Sequence, residues 1–149
     1  SQGDFHEALN WASNSKAPVI FHIQDNEYAI STHRSEQTAS TIYNMTSGNG
    51  NLSRYDVDGT DFFEANLAFK EAVQRARKGK GPSVIVSHVV RLLPHSSSDD
   101  QRKYRSEKDL AKDRITKRSC RNGLQDWSVP YCIALSCSRW NERRLRGNS

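Results

Sequence analysis

Apolar residues first recur at helical spacing, which predicts an amphipathic helix over residues 4–15. Its apolar stripe consists of Phe5, Ala8, Leu9 and Ala12. Residues 18–24 are mostly apolar without clean alternation, as expected for a parallel strand covered on both faces. We expect its polar residue, His22, to be a hydrogen-bonded sheet residue rather than a ligand. Residues 31–51 are polar and predict an ordered loop with a short helix near residues 40–45.

The same strand and helix patterns return further along the chain. Residues 53–57 predict a short strand, and the valine-rich residues 83–90 predict a buried one. Between them, Asp61 and Glu64 have the spacing of a capping box, which predicts where a helix begins. The apolar face of that helix is predicted to consist of Phe62, Ala65, Phe69, Ala72, Val73 and Ala76.

Strands and helices that alternate with short connections predict an α/β fold with a doubly wound, mostly parallel sheet. Two polar stretches, residues 25–31 and 91–106, each follow a predicted strand. Ligands bind at the carboxyl edge of such sheets, so the two stretches can face a common crevice.

The first stretch offers an amide and backbone carbonyls, which suit a magnesium ion that carries phosphate. Its alternative is a plain turn made by Asp25 and Asn26. In the second stretch, His95 can donate to phosphate or move a proton near neutral pH. Further phosphate and oxygen contacts are available from Ser96, Ser97, Ser98, Tyr104 and Arg105. The alternatives for this stretch are a solvated charged loop and a phosphorylation site.

Charge is divided unevenly along the 149 residues, whose net charge is +5. Residues 114–149 carry eight basic residues against two acidic ones, whereas residues 1–113 are close to neutral. A basic binding module that contacts RNA or another anion through this tail is therefore the alternative of a different class, which the neutral body disfavours. All three cysteines lie in the tail without the paired spacing of a zinc site, and the cysteine-free body is typical of a reducing compartment. With no apolar run near the roughly 20 residues of a membrane span and no signal-peptide pattern, we expect a soluble protein.

Four segments carry a more specific signal: SQGDFHEALNWAS, PVIFHIQDNEYAIST with the following SEQ, YDVDGTDFFEANLAFKEAVQRA and RLLPHSSSDDQRKYRS. Together they resemble the alpha-type, thiamine-diphosphate-binding part of the decarboxylating first component of 2-oxoacid dehydrogenase complexes. The resemblance runs in register over residues 1–113 and is strongest to the branched-chain, 2-oxoisovalerate type. Pyruvate and acetoin dehydrogenases are the alternatives within the same group.

The resemblance implies a thiamine diphosphate fold and an oxidative decarboxylation whose acyl group passes to a lipoyl arm of the second component. It implies that Mg²⁺ is held by Asn26, by the backbone carbonyl of Tyr28 and by an acidic residue of a Gly-acid-Gly motif. It places Ile30 near the cofactor and assigns His95 to the diphosphate and to acyl transfer. It also makes two serines candidate phosphorylation positions, Ser96 and Ser106.

Two departures from the family pattern accompany the resemblance. The Gly-acid-Gly motif falls before Ser1 in the family register, and Asp25 stands where the family usually has Asn. Residues 114–149 do not resemble the family, and we expect them to be a disordered or out-of-frame tail after a partial dehydrogenase domain over residues 1–113. We therefore expect the chain to be an inactive fragment, possessing neither the acidic ligand nor the beta-type half that supplies a glutamate to the cofactor. That half is expected as a separate chain or fused to the alpha half, in the cytoplasm of a bacterium or, for a eukaryote, in the mitochondrial matrix.

Overall fold

The computed structural model describes residues 3–120 and 133–136, with side chains over residues 3–115. In chain order the elements are α1 (Gly3–Asn14), β1 (Val19–Asp25), β2 (Tyr28–Ala29), β3 (Thr32–His33), α2 (Arg34–Gln37), α3 (Ile42–Met45), β4 (Ser53–Asp58), α4 (Phe62–Arg77), β5 (Ser83–His88), a 3₁₀ turn (Gln101–Lys103), α5 (Glu107–Cys120) and β6 (Ile133–Ser136).

Four strands form one sheet in the order β4, β5, β1, β6. Strands β4, β5 and β1 run parallel, while β6 is antiparallel to β1. A separate two-stranded antiparallel sheet pairs β2 with β3. The predicted α/β fold with a mostly parallel sheet is confirmed.

The sheet is covered on both faces because neighbouring residues of a strand point in opposite directions. Along β5, Val84 and Val86 pack with Leu9 of α1, whereas Ile85 packs with Ala68 of α4. The two helices therefore lie on opposite faces, each against its own apolar cluster. At about 25 cal/mol per Å² of buried apolar surface, these clusters supply the main stabilising free energy of the fold.

Helix α4 begins at the position that the capping-box spacing of Asp61 and Glu64 predicts. Asp61 is its N-cap, and its Oδ1 accepts hydrogen bonds from the backbone N–H of Phe63 at 2.8 Å and of Glu64 at 3.3 Å. The predicted apolar face is only partly right, because Phe62 is 49% exposed. The buried side chains are alanines at a four-residue spacing, namely Ala72 and Ala76 as predicted and also Ala68, which the prediction omits. Small side chains in this row let the helix axis come close to the sheet, which leaves the larger residues of the first turn outside.

The apolar stripe of α1 is partly as predicted, and His22 in β1 has the predicted role. Ala8 was placed in the apolar stripe of α1 but is exposed, whereas Leu9 and Ala12 are buried as predicted. His22 is a hydrogen-bonded sheet residue as predicted, since its Nε2 lies 3.0 Å from Ser87 Oγ. Burial lowers the pKa of His22, which favours the neutral imidazole.

The predicted boundary at residue 113 falls inside α5, which continues to Cys120. Most of the predicted basic tail over residues 114–149, including the side chains of all three cysteines, lies outside the described residues, and that boundary remains a prediction. Among the described residues, no helix has the length and apolar character needed to cross a bilayer.

Candidate functional site

The two polar stretches leave the sheet side by side. Strand β1 ends at Asp25 and β5 ends at His88, and these two residues are partners in the parallel register. The backbone N–H of Val89 donates to the carbonyl of Asp25 at 2.9 Å, which extends the contact past the end of the strands. Both stretches therefore start from the carboxyl edge of the sheet, where α/β proteins bind ligands.

Residues 25–34 form the β1 exit loop, which is closed by its own hydrogen bonds. Asp25 Oδ1 accepts the backbone N–H of Glu27 at 3.1 Å, and Asn26 Oδ1 accepts that of Tyr28 at 3.0 Å. The backbone of Glu27 is left-handed, with φ 66°, and its carbonyl accepts the N–H of Arg34 at 2.7 Å. Two successive side-chain turns thus set the orientation of Asn26, which is half-buried.

The far end of the β1 exit loop is the hairpin of β2 and β3, in which Tyr28 pairs with His33. Ile30 lies in its turn with a left-handed backbone, φ 56°, and with its side chain 56% exposed. Left-handed φ is a steric outlier for a β-branched residue. The sequence gives no hint of this hairpin, because neither glycine nor an Asn-Gly pair occupies the turn.

Residues 91–106 form the β5 exit loop, and Arg91 at its start joins it to the β1 exit loop. Arg91 Nη1 donates to the carbonyl of Ile30 at 2.7 Å, and Nη2 donates to the hydroxyl of Tyr104 at 2.5 Å. The guanidinium also lies over two tyrosine rings, 5.1 Å from the centre of Tyr28 and 5.5 Å from that of Tyr104. The structure therefore brings the two predicted stretches into direct contact.

Tyr104 and Asp99 continue the chain of contacts that Arg91 begins. The Tyr104 hydroxyl donates to Asp99 Oδ2 at 2.6 Å, and the backbone N–H of His95 donates to the same oxygen at 2.8 Å. These hydrogen bonds, Tyr104 first, lower the pKa of Asp99. Burial and then the bond to Asp99 raise the pKa of Tyr104. Tyr104 therefore holds the loop in place as a neutral hydroxyl whose bonds are already used.

Arg105 is buried and is likewise occupied by contacts within the chain. Its Nη1 donates to the carbonyl of Arg91 at 2.9 Å, and its Nη2 forms an ion pair with Asp113. The guanidinium lies 5.1 Å from the centre of the Tyr28 ring. Arg105 thus contacts both exit loops and α5, and it supports the loop from behind rather than from its exposed side.

His95 and the candidate phosphorylation positions lie on the exposed side of the β5 exit loop. The ring of His95 forms no hydrogen bond with the described residues, and its position depends on the backbone bond to Asp99. Ser96 Oγ lies 3.1 Å from Ser98 Oγ. Ser106 caps the start of α5, since its Oγ accepts the N–H of Asp109 at 3.2 Å and donates to that residue's carboxylate at 2.5 Å. The hydroxyl-bearing residues are accessible, while the roles of His95, Ser96 and Ser106 remain predictions.

Sequence reasoning missed a charged cluster at the base of both loops. His88 Nε2 lies 2.7 Å from Asp56 Oδ1, and its Nδ1 lies 3.8 Å from Asp25 Oδ2. Asp25 also forms an ion pair with Arg34. The sequence signal is that each of the three parallel strands, β1, β4 and β5, ends in Asp or His, which marks the polar edge of a sheet without showing which side chains pair.

The fit of a magnesium ion can be judged from the donor atoms. Within the described residues, no three His, Cys, Asp or Glu side chains come together as metal ligands. The Asp25 carboxylate is committed to Arg34 and to the Glu27 N–H. Asn26 Oδ1 keeps a second lone pair beside its bond to Tyr28, and the Tyr28 carbonyl is two residues away. These atoms fit the neutral oxygen part of a magnesium shell, which usually adds one or two carboxylates and phosphate oxygens.

The fit of an anion depends on unpaired donors of the β5 exit loop. Arg91 Nε is buried without a hydrogen-bond partner, and the His95 imidazole is exposed and unbonded within the described residues. The exposed imidazole can donate to a phosphate, whereas the buried Arg91 Nε is not accessible to one. A cleft of about 670 Å³ lies on the other side of this loop, against α5, and neither Asn26 nor His95 lines it. The candidate site is the junction of the two exit loops, because the stretches that carry Asn26 and His95 meet there.

At the carboxyl edge of this parallel sheet, oxygen atoms of one exit loop lie beside cationic side chains of the next, at the edge where α/β proteins bind their ligands. The family model described as "Dehydrogenase E1 component" matches residues 1–126, and the chain belongs to this family. The family identified from the four sequence segments is thereby confirmed.

Three relatives illustrate the similarity. The 2-oxoisovalerate dehydrogenase subunit alpha of Bacillus subtilis is 43% identical over 111 residues, which is 74% of this chain and 33% of the relative. The 3-methyl-2-oxobutanoate dehydrogenase subunit alpha of Mycobacterium tuberculosis is 40% identical over 111 residues, with 74% and 30% covered. The pyruvate dehydrogenase E1 component subunit alpha of Staphylococcus epidermidis is 44% identical over 112 residues, again with 74% and 30% covered. The chain thus spans about a third of the length of these curated relatives.

Proposed function

We propose that this chain is the cofactor-diphosphate side of a 2-oxoacid dehydrogenase of the branched-chain type. It would bind thiamine diphosphate with Mg²⁺ and serve the transfer of an acyl group to a lipoyl arm. The observation that carries the proposal is the junction of the two exit loops, where Arg91 donates to the carbonyl of Ile30. In support of the proposal, this contact joins the loop that carries Asn26 and Tyr28 to the loop that carries His95.

Each proposed residue has a role that its surroundings support. Asn26 Oδ1 and the Tyr28 carbonyl would hold the metal, because both are oxygens of one short turn whose shape is fixed by hydrogen bonds. His95 would donate to the diphosphate and deliver a proton during acyl transfer, since its ring is accessible and an imidazole exchanges protons near neutral pH. Ile30 would offer its exposed side chain to the body of the cofactor. When bound, thiamine diphosphate supplies the stabilisation of the carbanion, which no side chain of this chain can provide.

The proposed partners follow from the same reading. A beta-type half, separate or fused, would supply a glutamate to the aminopyrimidine ring, and a lipoyl-bearing acyltransferase would accept the acyl group. The proposed location is the bacterial cytoplasm, or the mitochondrial matrix for a eukaryotic source. Phosphorylation of Ser96 would place about −1.5 to −2 charges next to His95, which would oppose diphosphate binding. Ser106 is the second candidate position, and a phosphate there would face the carboxylate of Asp109.

Pyruvate is the second candidate substrate. The pyruvate-type relative is 44% identical to this chain and the branched-chain relative is 43% identical, so the similarity favours neither type by a useful margin. We retain the branched-chain type as the proposal. The ratio of kcat/KM for 3-methyl-2-oxobutanoate and pyruvate, measured on the complete protein that carries this chain, decides between them; a ratio in favour of pyruvate rejects the branched-chain type.

The metal assignment is tested by Asn26→Ala in that complete protein. We expect magnesium-dependent thiamine diphosphate binding, measured by titration calorimetry, to weaken at least about tenfold, a loss that even outer-shell changes at metal sites can cause. Asn44→Ala is the matched control, because Asn44 is an exposed residue of α3 outside both exit loops. Equal affinities for the two variants would reject Asn26 as a ligand.

The role of His95 is tested by a separate measurement of binding and transfer. We expect His95→Ala to lower the rate of reductive acylation of a lipoyl domain by about 10²–10⁴-fold, the usual contribution of a positioned acid or base, with a smaller loss of cofactor affinity. His6→Ala, which changes an exposed histidine of α1, should leave both unchanged. An unaltered acylation rate for His95→Ala would remove this residue from the mechanism.

A further inference from the structure

Arg34 contacts both acidic neighbours of Asn26. Its guanidinium forms an ion pair with Asp25 through Nη1, and Nη2 lies 3.9 Å from Glu27 Oε1. Its backbone N–H also donates to the carbonyl of Glu27 at 2.7 Å. One residue at the end of the β1 exit loop therefore holds the backbone and side chains on either side of Asn26.

The anchor of this arrangement is the Asp25 carboxylate, whose side chain is only 4% exposed. A buried carboxylate is tolerated only when it is paired and hydrogen-bonded. Asp25 meets that need with Arg34, with the Glu27 N–H at 3.1 Å and, more distantly, with His88 Nδ1 at 3.8 Å. Without Arg34 the buried carboxylate would lose its ion-pair partner and turn towards solvent, which disturbs its bond to the Glu27 N–H.

Asn26 lies directly between these two acidic residues, and among the described residues its side chain has only a local hydrogen-bond partner, the Tyr28 N–H. Its Oδ1 is oriented by the Tyr28 N–H at 3.0 Å, across the left-handed backbone of Glu27. We propose that Arg34 is a positioning residue that fixes the direction of Asn26 Oδ1, and of the Tyr28 carbonyl, towards the metal. This inference rests on the proposed function for the metal itself.

Amide hydrogen exchange in the full 149-residue chain tests the positioning directly, without ligand. The Tyr28 N–H reports on Asn26, because its acceptor is the Asn26 side chain and not Arg34 or Asp25. We expect Arg34→Met to speed exchange of the Glu27 and Tyr28 amides about ten- to a hundredfold while the Ile85 amide in β5 changes less than about twofold. Asn26→Ala should speed Tyr28 alone.

The matched control is Arg54→Met, which removes an arginine that donates to the Tyr43 carbonyl outside the β1 exit loop. It should leave the Tyr28 amide unchanged. Unchanged exchange of Tyr28 in Arg34→Met overturns the proposal, and so does equal acceleration of Tyr28 and Ile85, which would mean that Arg34 only stabilises the fold. If Arg34→Met does not fold, Arg34→Lys replaces it, because lysine keeps the charge but cannot reach both carboxylates. We expect the Tyr28 amide of Arg34→Lys to exchange faster than in the wild type. Exchange at the wild-type rate overturns the proposal.

A second measurement separates this inference from the proposed function. In the complete enzyme at fixed thiamine diphosphate, we expect Arg34→Met to raise the Mg²⁺ concentration for half-maximal activity about tenfold while kcat at saturating Mg²⁺ stays within about twofold. If Asn26→Ala raises this concentration and Arg34→Met does not, the positioning role fails and the metal site stands. If neither variant changes it, the metal site fails, and with it the inference.

Discussion

The two exit loops at the carboxyl edge of the sheet are built in opposite ways. The β1 exit loop is short and closed by its own residues, with the buried carboxylate of Asp25 at its base. The β5 exit loop is longer, and its tip at His95 is exposed and tied by one backbone hydrogen bond to Asp99. Asp99 is in turn held by Tyr104, and Tyr104 by Arg91.

This contrast separates two demands on one site. Metal ligands must keep their geometry, which a loop fixed by internal bonds provides. A histidine that meets both a diphosphate and an incoming acyl acceptor must be accessible, which a loop supported only from behind allows. The cost is that the position of His95 depends on a chain of contacts that runs from Arg91 through Tyr104 to Asp99.

Arg105→Met should have the largest effect, because Arg105 contacts both loops and leaves Asp113 mostly buried when its partner is lost. We expect the free energy of unfolding to fall by about 2–4 kcal/mol, as for other broken buried ion pairs. Urea denaturation measures this. Arg102→Met, which breaks an exposed ion pair with Asp100, should cost much less, because exposed ion pairs contribute little to stability. Equal losses in the two variants would contradict the support assigned to Arg105.

Gly59→Ala should rank second, because Gly59 lies against the segment from which the β5 exit loop starts. An added Cβ would lie 2.6 Å from Val89 Cγ1 and 2.9 Å from the carbonyl oxygen of His88. We expect a loss of about 1–3 kcal/mol, the usual cost of overpacking, in the same denaturation assay. Gly50→Ala is the control, since nothing lies within 4 Å of its added Cβ. A Gly59→Ala variant as stable as Gly50→Ala would show that the two strand ends are loosely packed.

Ser106→Ala tests the far end of the β5 exit loop, where Ser106 caps α5. Loss of the bond from the Asp109 N–H should cost about 1 kcal/mol, as for other N-caps, and lower the melting temperature measured by circular dichroism. Ser98→Ala, at an exposed hydroxyl that contacts only Ser96 Oγ, should change stability by less than about 0.5 kcal/mol. If both substitutions are silent, the cap does not contribute to the order of the loop.

The smallest change is expected in the pKa of Asp99. The Tyr104 hydroxyl is the main cause that lowers the pKa of Asp99. The hydrogen bond from the His95 N–H to Asp99 is therefore fully present above the ordinary pKa of 3.8, and it is lost as the pH falls through the lower pKa of the folded state. Tyr104→Phe should raise the pKa of Asp99, and protection of the His95 amide should then be lost at a higher pH. NMR titration of the carboxyl groups measures the pKa values of Asp99 and Asp100. Asp100, whose pKa is lowered to about 2 by Arg102, is the internal control and should not move. An unmoved Asp99 would show that Tyr104 does not orient the loop.

The three parallel strands, the two helices that cover them and the position of both exit loops could be predicted from sequence because each is encoded locally, whereas the antiparallel strand β6 was not predicted. Asp61 marks the start of α4 because its side chain accepts a hydrogen bond from the nearby Phe63 N–H. The valines of β5 indicate a strand that is covered on both faces. The failures at Phe62 and Ala8 have a tertiary cause, since periodicity shows which residues share a helix face but not how wide a strip of that face the sheet covers.

The candidate site could be predicted as two stretches but not as one network. Arg91 and Ile30 are 61 residues apart, and no local pattern reveals that one donates to the carbonyl of the other. The sequence predicts a phosphate contact for Arg105. In the structure its guanidinium is buried and contacts three acceptors behind the loop: the Arg91 carbonyl, Gln101 Oε1 and the Asp113 carboxylate. The ion pair between Asp25 and Arg34 is likewise not shown by any local sequence pattern. Which residues of the site then bind the metal and the diphosphate stays a prediction.

The turn of the β2–β3 hairpin also has a meaning for how this sequence can change. An isoleucine with φ 56° costs about 1–3 kcal/mol relative to a residue that is free to adopt that backbone. Glycine would fit there at no steric cost, and the Ile30 side chain gains little from burial because it is 56% exposed. Selection for stability alone would therefore replace it. Ile30 is a position where a library screened only for thermal stability would drift towards glycine, and where such a screen would erase an apolar surface group that folding does not need.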